Sequence, residues 1–472
     1  MSVELRPGRT GAQPMLRLEE AGARMIDDLA ALPAESVDLA GASGRILAAP
    51  LASRLTLPPW DNSAMDGFAV RSADIDGAMP TRPIRLAVSG EAAAGRLATA
   101  RVAEGTAVRI LTGAPLPAGA DAVVPVEDTD APAGAAAPPA SVGVHAPALV
   151  GAHVRRRGSD LREGIPLLPA GTLLDAASIA LAAAGGHGSV RVHRRPRVAV
   201  LATGDELVSA GGELGPAQIP DSNSVGLAAQ ATEAGAEVRT LGIAADRLDA
   251  VLRHLQPGLA WADVIVVSGG VSVGAHDVVK EAFERVGKME LWRVAVQPGK
   301  PLAFGRAPRR SDGDGGRDGD GGRDGDGGPD RGAEVLLFGL PGNPVSSFVT
   351  FELFVRPVLR RLAGHTDLSG RQIVRARLSE PVAKAAGRRA FLRVRLTPLW
   401  DRTESTSEES ARAEPAWQAS LAGGQGSHVL SALALADGLA VVLEDDDALP
   451  AGAEVDVICL RQPPYRGRSG TV

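Results

Sequence analysis

The stretch SGGVSVGAHD, Ser268–Asp277, has the residue types of a phosphate-binding loop. It follows the apolar run DVIVV, and its glycines let backbone N–H groups approach an anion beside the positive end of a helix expected near Asp277. Asp277 itself is a candidate ligand for a divalent cation next to the phosphates. The spacing matches neither a P-loop nor a dinucleotide-binding fingerprint, and a glycine-rich turn without a ligand is the alternative interpretation.

Two other loops carry paired carboxylates. TGDEL, which follows the run RVAVLA, places Asp205 and Glu206 next to Gly204, where ligands collect at the carboxyl ends of parallel strands. The alternative is a helix N-terminus whose dipole stabilises the acidic residues. DNSAMDGFAV begins at Asp61 and includes Asp66, and these two carboxylates could face a cation or a ligand. The alternative interpretation is an Asx turn that precedes a strand.

A fixed positive charge and a helix start lie further along the chain. Lys300 stands in QPGKP, on a loop stiffened by prolines, where it suits an anion. LPGNPVS is typical of a helix start, with Asn343 as N-cap and Pro344 at the first helical position. The chain contains only four lysines and three asparagines. We interpret this scarcity as background mutation pressure, so the remaining Lys and Asn residues indicate positions where chemistry or backbone geometry excluded a replacement.

The elements that position these loops follow from the hydrophobic pattern. Between residues 186 and 365, buried-type strands alternate with helical stretches, which predicts a parallel sheet with helices on both faces. An amphipathic helix is expected over residues 15–31, short strands over about 50–150, and a small β domain from residue 370 onward. The repeat at 311–332 is too rich in glycine and charge to pack, so we expect a disordered surface loop.

Composition narrows the classes of function. The 472 residues suffice for about three domains. The net charge is −6, whereas nucleic-acid-binding proteins usually carry an excess of basic residues, so the composition argues against a nucleic-acid partner. The single cysteine, Cys459, excludes a disulfide framework and a metal site built from cysteines. With no signal peptide and no membrane-spanning apolar run in the sequence, we expect a cytoplasmic protein without a membrane partner.

Eight motifs in this order resemble one family. They are DNSAMDGFAV, RILTGAPLPAGADAVVPVE, RRRGSD, LATGDEL, SGGVSVGAHD, QPGKPLAFG, GLPGNPVSSF and GQGSH. Together they are similar to the molybdopterin molybdenumtransferases, the family that includes the gephyrin E domain, over roughly residues 15 to 465. Many members of that family carry a lysine where this chain has Gln297.

The resemblance implies an elongated multidomain fold of the α/β plus β class. It implies a discontinuous N-terminal linker domain (15–57 and 151–185), a β-rich inserted domain (58–150), a central molybdopterin-binding three-layer α/β domain (186–368) and a C-terminal domain resembling a small β-barrel (369–472).

The implied activity is insertion of molybdate into adenylylated molybdopterin, with Mg²⁺-dependent release of AMP. Asp66, Glu206 and Asp277 would be catalytic, with Glu206 and Asp277 as ligands of Mg²⁺ and Asp66 in a supporting role, from the other subunit of a homodimer. The resemblance also implies substrate-binding positions, namely Thr112, Asp160, Gly204, Asp205, Ser268, Gly269, Gly270, Ser272, Gly274, Lys300, Pro341, Gly342, Pro344, Arg388 and Ser427. Lys300, Arg388 and Ser427 are the molybdate candidates, and the glycine loop would hold the phosphates.

The implied partners are a second copy of the chain with a shared active cleft, and transient contacts with molybdopterin adenylyltransferase and apo-molybdoenzymes. Two alternatives stay open within the resemblance: an adenylyltransferase acting on molybdopterin, and a non-catalytic molybdopterin-binding scaffold. Without the resemblance, the same residues favour a metal-dependent phosphatase or nucleotide hydrolase.

Overall fold

The structure is a computed structural model that describes residues 15–96, 99–134, 137–271, 277–310, 334–399 and 417–462. The chain divides into two compact units. One consists of residues 35–192, and the other of the N-terminal residues up to Ala34 together with residues 193–472. The repeat at 311–332 lies outside the described residues, so its predicted character stays a prediction.

The first element is the helix α1 (Leu18–Ile26), which belongs to the second of these units. Its buried residues Ala21 and Met25 are four positions apart and therefore lie on one face of the helix, as expected for an amphipathic helix. The prediction of a helix over 15–31 is wrong in extent. Asp27 and Asp28 follow Ile26 directly, and acidic side chains are unfavourable at the negative C-terminal end of a helix.

The unit formed by residues 35–192 is mostly β-structure. Its elements are β1 (Ala34–Asp38), β2 (Leu51–Ala52), β3 (Asn62–Ser63), β4 (Gly67–Val70), β5 (Ile84–Ala92), β6 (Thr106–Ile110), β7 (Ala122–Pro125), β8 (Ser141–Val144), β9 (Val154–Arg155), β10 (Pro166–Leu168), α2 (Ala176–Ala184) and β11 (Ser189–His193), with short 3₁₀ helices at Leu39–Gly41, Ser72–Ile75 and Val126–Asp128. A five-stranded sheet has the order β7-β4-β6-β5-β8, and β3 pairs with β9 beside it. Short apolar runs cut by Gly and Pro therefore form strands here, as the sequence predicts.

The remaining elements belong to the other unit. They are β12 (Arg197–Thr203), β13 (Leu207–Val208), β14 (Ile219–Pro220), α3 (Asn223–Glu233), β15 (Glu237–Ala244), α4 (Leu248–Trp261), β16 (Val264–Ser268), α5 (Val278–Val286), β17 (Lys288–Arg293), β18 (Val296–Gln297), β19 (Pro301–Pro308), β20 (Glu334–Leu340), α6 (Pro344–Thr350), a π-helical turn (Phe351–Val355), α7 (Arg356–Leu362), β21 (Ile373–Leu378), β22 (Val382–Ala383), β23 (Arg389–Pro398), β24 (Trp417–Leu421), α8 (Leu430–Leu435), β25 (Gly438–Val442), β26 (Ala448–Leu449) and β27 (Glu454–Cys459).

The central sheet has the order β15-β12-β16-β20-β19-β17, and its first four strands are parallel. The prediction of a parallel sheet is wrong for the last two strand pairings, because β19 is antiparallel to both β17 and β20. The seven residues between β17 and β19 are too few for the crossover of a dozen or more residues that a parallel pair needs.

Helices cover both faces of this sheet. Val198 and Val200 of β12 pack on the side of α1, α3, α6 and α7, whereas Ala199 and Leu201 pack on the side of α4 and α5. Since successive side chains of a strand point to opposite faces, a strand buried on both faces is apolar throughout. The runs RVAVLA and DVIVV are this kind of strand, and the predicted three-layer α/β domain is confirmed.

A small closed barrel follows the central sheet in the chain. Strands β23, β24, β21, β27 and β25 pair in succession, and a further pairing of β23 with β25 closes the ring. Its interior is filled by apolar side chains that include Val394, Ala440 and Val457. The predicted C-terminal β-barrel is confirmed. Within the described part of the chain, no helix is both long and apolar enough to cross a membrane.

Candidate active site

Three predicted residues meet in the turn after β12. Gly204 has a φ of 153°, and a Cβ atom placed on it would lie 2.6 Å from a carboxylate oxygen of Glu206. The carboxylate of Glu206 therefore lies directly over the backbone of Gly204, where a side chain would displace it. The chain continues into the short strand β13, so the alternative of a helix N-terminus at TGDEL is wrong.

Asp246 joins this turn, and the sequence analysis missed it. Its backbone N–H donates to Asp205 Oδ1 at 3.2 Å. Burial raises the pKa of Asp246, and the negative charges of Asp205 and Glu206 raise it further. Asp246 lies two residues after the end of strand β15, so the strand-end rule that selected Asp205 also applied to it.

The glycine loop after β16 lies against the end of β12. A Cβ atom on Gly269, whose φ is 95°, would come within 2.4 Å of the carbonyl oxygen of Thr203, so only glycine fits there. Ser268 pairs in register with Ala202 and is almost completely buried. Ser272 and Gly274, two predicted substrate-binding positions, lie outside the described residues.

Helix α5 begins directly after Asp277, close to where the sequence predicts a helix, and Asp277 is its N-cap. Its Oδ1 accepts a hydrogen bond from the backbone N–H of Lys280 at 2.9 Å. One carboxylate oxygen thus stabilises the first turn of the helix. Asp277 lies between the glycine loop and α5, at the carboxyl end of the same sheet as Glu206.

A cavity of about 700 Å³ contains most of the predicted anion-binding residues. Lys300, Arg388, Ser427, Pro341 and Gly342 all line it. None of the described residues along its wall is a carboxylate. An oxyanion therefore meets positive charge and hydroxyl groups here without a competing negative charge.

Pro344, the remaining predicted residue of the loop LPGNPVS, lies outside the cavity wall. Pro344 is the first residue of α6, as predicted, but is not among the residues that line the cavity. Asn343 occupies the N-cap position, yet its side chain makes no capping hydrogen bond. Asn343 is also among the residues that line the cavity, so its predicted N-cap position is confirmed, whereas its side chain does not cap the helix.

Arg393 also lines the cavity, and the sequence analysis chose Arg388 instead. Its side chain is among the largest that are completely buried, and its guanidinium donates to the carbonyl oxygens of Gly424 and Gly426, each at 3.1 Å. Its Nε has no partner among the described atoms. Burial lowers the pKa of Arg393, and no acidic group among the described residues offsets this. A buried cation without a carboxylate partner is a strong candidate for binding an anion.

Gln297 is one of the residues that line this cavity. Its Oε1 accepts a hydrogen bond from the backbone N–H of Ala385 at 3.3 Å, in the segment that leads to Arg388. The neutral amide therefore connects two segments that line the cavity, strand β18 and the segment between β22 and β23.

The other compact unit holds the predicted residues Asp66, Thr112 and Asp160. Asp66 Oδ1 accepts hydrogen bonds from the backbone N–H of Thr112 at 2.6 Å and from its hydroxyl at 2.7 Å. The backbone bond first, and then the hydroxyl bond, lower the pKa of Asp66, so this carboxylate is ionised at neutral pH. Asp160 is an exposed residue.

Asp61 makes a second cross-loop connection in that unit. Its carboxylate accepts hydrogen bonds from the guanidinium of Arg156 at 2.7 Å and from the backbone N–H of Arg157 at 2.8 Å. Because Asp61 and Asp66 both bind residues far away in the sequence, the Asx-turn interpretation of DNSAMDG is wrong.

The carboxylates around β12 fit a hard divalent cation. Burial first, and then the negative charges of Asp205 and Glu206, raise the pKa of Asp246, and a bound cation would offset the repulsion between these carboxylates. Within the described residues, no three acidic, His or Cys side chains converge on one point.

Family models match successive parts of the chain. The MoeA N-terminal region (domain I and II) matches residues 16–186, a probable molybdopterin binding domain matches 199–361, and the MoeA C-terminal region (domain IV) matches 375–460. A Mycobacterium tuberculosis (strain ATCC 25618 / H37Rv) protein named molybdopterin molybdenumtransferase 2 is 37% identical over 431 residues, 89% of this chain and 94% of the relative. The chain belongs to the MoeA family.

Further MoeA relatives agree in sequence and in structure. A molybdopterin molybdenumtransferase of Nostoc sp. is 40% identical over 331 residues, 70% of each chain. The crystal structure of a MoeA protein from Pyrococcus horikoshii superposes with a TM-score of 0.72 at 30% identity, covering 94% of this chain and 99% of that one. The resemblance found from the motifs is thereby confirmed. Membership of the MoeA family does not assign a role to any single residue, so the roles of the site residues stay predictions.

Proposed function

We propose that this MoeA-family enzyme inserts molybdate into adenylylated molybdopterin, with Mg²⁺-dependent release of AMP, to form the molybdenum cofactor. The observation that carries the proposal is the arrangement at the central sheet. A cavity with three cations and no carboxylate among its described lining residues lies beside strand-end loops that carry carboxylates and glycines. Both substrates are anions, and a divalent cation makes the carboxylate side compatible with them.

Molybdate binds in the cavity according to this proposal. Lys300 supplies a fixed charge between two prolines, Arg393 a buried guanidinium, and Ser427 a hydroxyl donor. Arginine forms paired, charge-assisted hydrogen bonds with oxyanions, and burial makes such bonds stronger. The roles predicted for Lys300 and Ser427 are retained, and Arg393 is added to Arg388 as the more deeply buried cation.

The phosphate groups of adenylylated molybdopterin lie, in this proposal, along the loop that begins at Ser268. Gly269 and Gly270 bring the backbone close to the ligand without side-chain interference, and the N-terminus of α5 favours negative charge. Cleavage of the pyrophosphate bond requires positioning and charge neutralisation more than a protein nucleophile. The dithiolene sulfurs that hold molybdenum belong to the substrate, which agrees with a chain that has one cysteine.

Glu206 and Asp277 would hold Mg²⁺, with Asp205 and Asp246 close to Glu206. When bound, Mg²⁺ supplies neutralisation of the pyrophosphate charge and of the charge that develops on the leaving phosphate. Asp277 keeps one oxygen on the backbone of Lys280, which fixes the direction of its carboxylate. The carboxylate of Glu206 occupies the space that a Cβ atom on Gly204 would need, so glycine at this position leaves room for it.

The partners belong to the same proposal. In a homodimer with a shared cleft, Asp66 and Thr112 of one copy would contribute to the site of the other copy. The carboxylate of Asp66 and the hydroxyl of Thr112, which are hydrogen-bonded to each other, lie in the other compact unit of the chain. Cytoplasmic location and transient contacts with molybdopterin adenylyltransferase and apo-molybdoenzymes follow from the activity.

The central test is an assay with purified protein, adenylylated molybdopterin, Mg²⁺ and molybdate. We expect AMP release that depends on molybdate, together with activation of an apo-molybdoenzyme. Release of pyrophosphate from ATP and molybdopterin would instead support the adenylyltransferase. Tight binding without release of AMP would support the non-catalytic scaffold.

Changing Glu206 to glutamine is expected to raise the Mg²⁺ concentration needed for half-maximal AMP release by at least about tenfold, because a neutral amide binds a hard cation more weakly than a carboxylate. The measurement is an Mg²⁺ titration at saturating molybdate. The matched control is Glu213→Gln, an exposed glutamate a few residues further along the chain, for which we expect an unchanged titration. Identical curves for both variants would remove Glu206 from the metal site.

A further inference from the structure

Asn223 connects two loops of the candidate site. It is the first residue of α3, and its Nδ2 donates to Ser268 Oγ at 2.8 Å and to the carbonyl oxygen of Gly342 at 2.7 Å. Ser268 ends β16 and Gly342 follows β20, and these strands are neighbours in the sheet. Asn223 is also one of only three asparagines in the chain. A single side-chain amide thus spans the start of the phosphate loop and the wall of the anion cavity.

The orientation of this amide follows from its partners. The carbonyl of Gly342 can only accept a hydrogen bond, so the atom facing it is the nitrogen of the amide. The same nitrogen faces Ser268 Oγ, which makes the serine hydroxyl an acceptor in this contact. The hydrogen of that hydroxyl therefore points away from Asn223 and is available to an acceptor elsewhere.

The surroundings of Ser268 favour an anionic acceptor. Ser268 is 2% exposed, and Gly269 and Gly270 follow it in the loop. Thr203, at the end of the neighbouring strand, is 4% exposed, and its hydroxyl oxygen is buried with no hydrogen-bond partner among the described atoms. A Cβ atom on Gly270 would lie 3.1 Å from that oxygen. Two buried hydroxyls therefore lie at the ends of adjacent strands, and buried polar groups without partners are costly unless a ligand satisfies them.

We propose that Asn223 is a positioning residue which holds the Ser268 hydroxyl as a hydrogen-bond donor to a phosphate oxygen of the molybdopterin substrate, with Thr203 as a second donor. This rests on the proposed function, since it deepens the account of how that site binds its substrate. Asn223 acts through Ser268 and makes no contact with the reacting atoms.

The experiment measures binding of adenylylated molybdopterin by calorimetry in the absence of molybdate. Asn223→Ala and Ser268→Ala are each expected to raise the Kd at least about tenfold, the effect of losing a hydrogen bond to a charged group. In the Ser268→Ala background, Asn223→Ala is expected to add less than about threefold, because residues that act as a unit are not additive. Asn223→Asp has the same shape but accepts instead of donating, so we expect at least the loss seen for Asn223→Ala. Ser222→Ala, one residue earlier and without a capping hydrogen bond, is the matched control with an unchanged Kd.

A second readout separates this role from a general effect on folding. The rise in Tm on adding molybdate is expected to persist in Asn223→Ala, because the cations of the cavity are unchanged. Its loss would assign Asn223 to the loop around Gly342 and overturn the role through Ser268. Fully additive effects of the two alanine variants would overturn it as well. Wild-type protein that does not bind adenylylated molybdopterin overturns the proposed function, whereas tight wild-type binding with unchanged variants overturns only the inference about Asn223.

Discussion

Replacing Asp277 with asparagine is expected to reduce molybdate-dependent AMP release by at least about a hundredfold while leaving the protein folded. Asparagine keeps an oxygen that can accept the hydrogen bond from the backbone of Lys280, so the N-cap of α5 is retained. What is lost is the negative charge, and with it the ability to hold a divalent cation beside the phosphates. The measurements are the rate of AMP release at saturating substrates and the Tm of the variant.

The chain offers a closely matched control for Asp277. Asp175 is the N-cap of α2, where its Oδ1 accepts from the backbone N–H of Ser178 at 2.8 Å. Asp175→Asn makes the same chemical change at the same kind of helix position, far from the proposed site in the sequence. We expect wild-type turnover from it. If Asp277→Asn also retains turnover within about threefold of the wild type, Asp277 has a capping role only and the proposed metal site is wrong.

Arg393→Met is expected to abolish the stabilisation of the protein by molybdate. A ligand that binds only the folded state stabilises it by about 2.7 kcal/mol at a concentration of about 100 times its Kd. Wild-type protein should therefore show a clear rise in Tm with molybdate, and the variant little or none. We expect AMP release to fall along with it, because the buried guanidinium is the cation most shielded from water in the cavity.

Arg395 provides the control for this experiment. It lies two residues further along β23, is exposed, and is not part of the cavity wall. Arg395→Met removes the same charge and keeps the strand, so we expect a normal thermal response to molybdate. A normal response in Arg393→Met would show that Lys300 and Arg388 suffice for the anion, as the sequence analysis assumed.

Residues in continuous loops were predictable from the sequence. The sequence pattern places Gly204, Asp205 and Glu206 directly after a buried strand, and the strand ends of a parallel sheet share one edge. Ser268 and Asp277 follow from the same rule, because one ends a strand and the other begins a helix. In these cases the residues are close in space because they are neighbours in the sequence or lie at the ends of strands that share one edge of the sheet.

Residues whose place in the site depends on burial or on strand pairing were not predictable in this way. The segment GRRAFLRVR offers several arginines, and only the packing of the barrel decides that Arg393 is buried against the cavity while Arg395 is exposed. Asp246 gains its place from the pairing of β15 with β12, which brings it to Asp205. The reversed strand β19 carries no local signal that distinguishes it from the parallel strands, since the direction of a strand depends on the connection that leads to it.

The sequence by itself determined the family, the order of the domains and the loops that carry the chemistry. These features depend on local patterns of glycine, charged and apolar residues, which can be recognised directly along the sequence. Only the tertiary structure decided which polar atoms meet. It selected Arg393, added Asp246, and made Asn223 a bridge between Ser268 and Gly342, residues 45 and 119 positions away from it. The physical reason is that hydrogen bonds and desolvation act over a few ångströms in space, and these distances are set by the packing of strands and helices rather than by spacing along the chain.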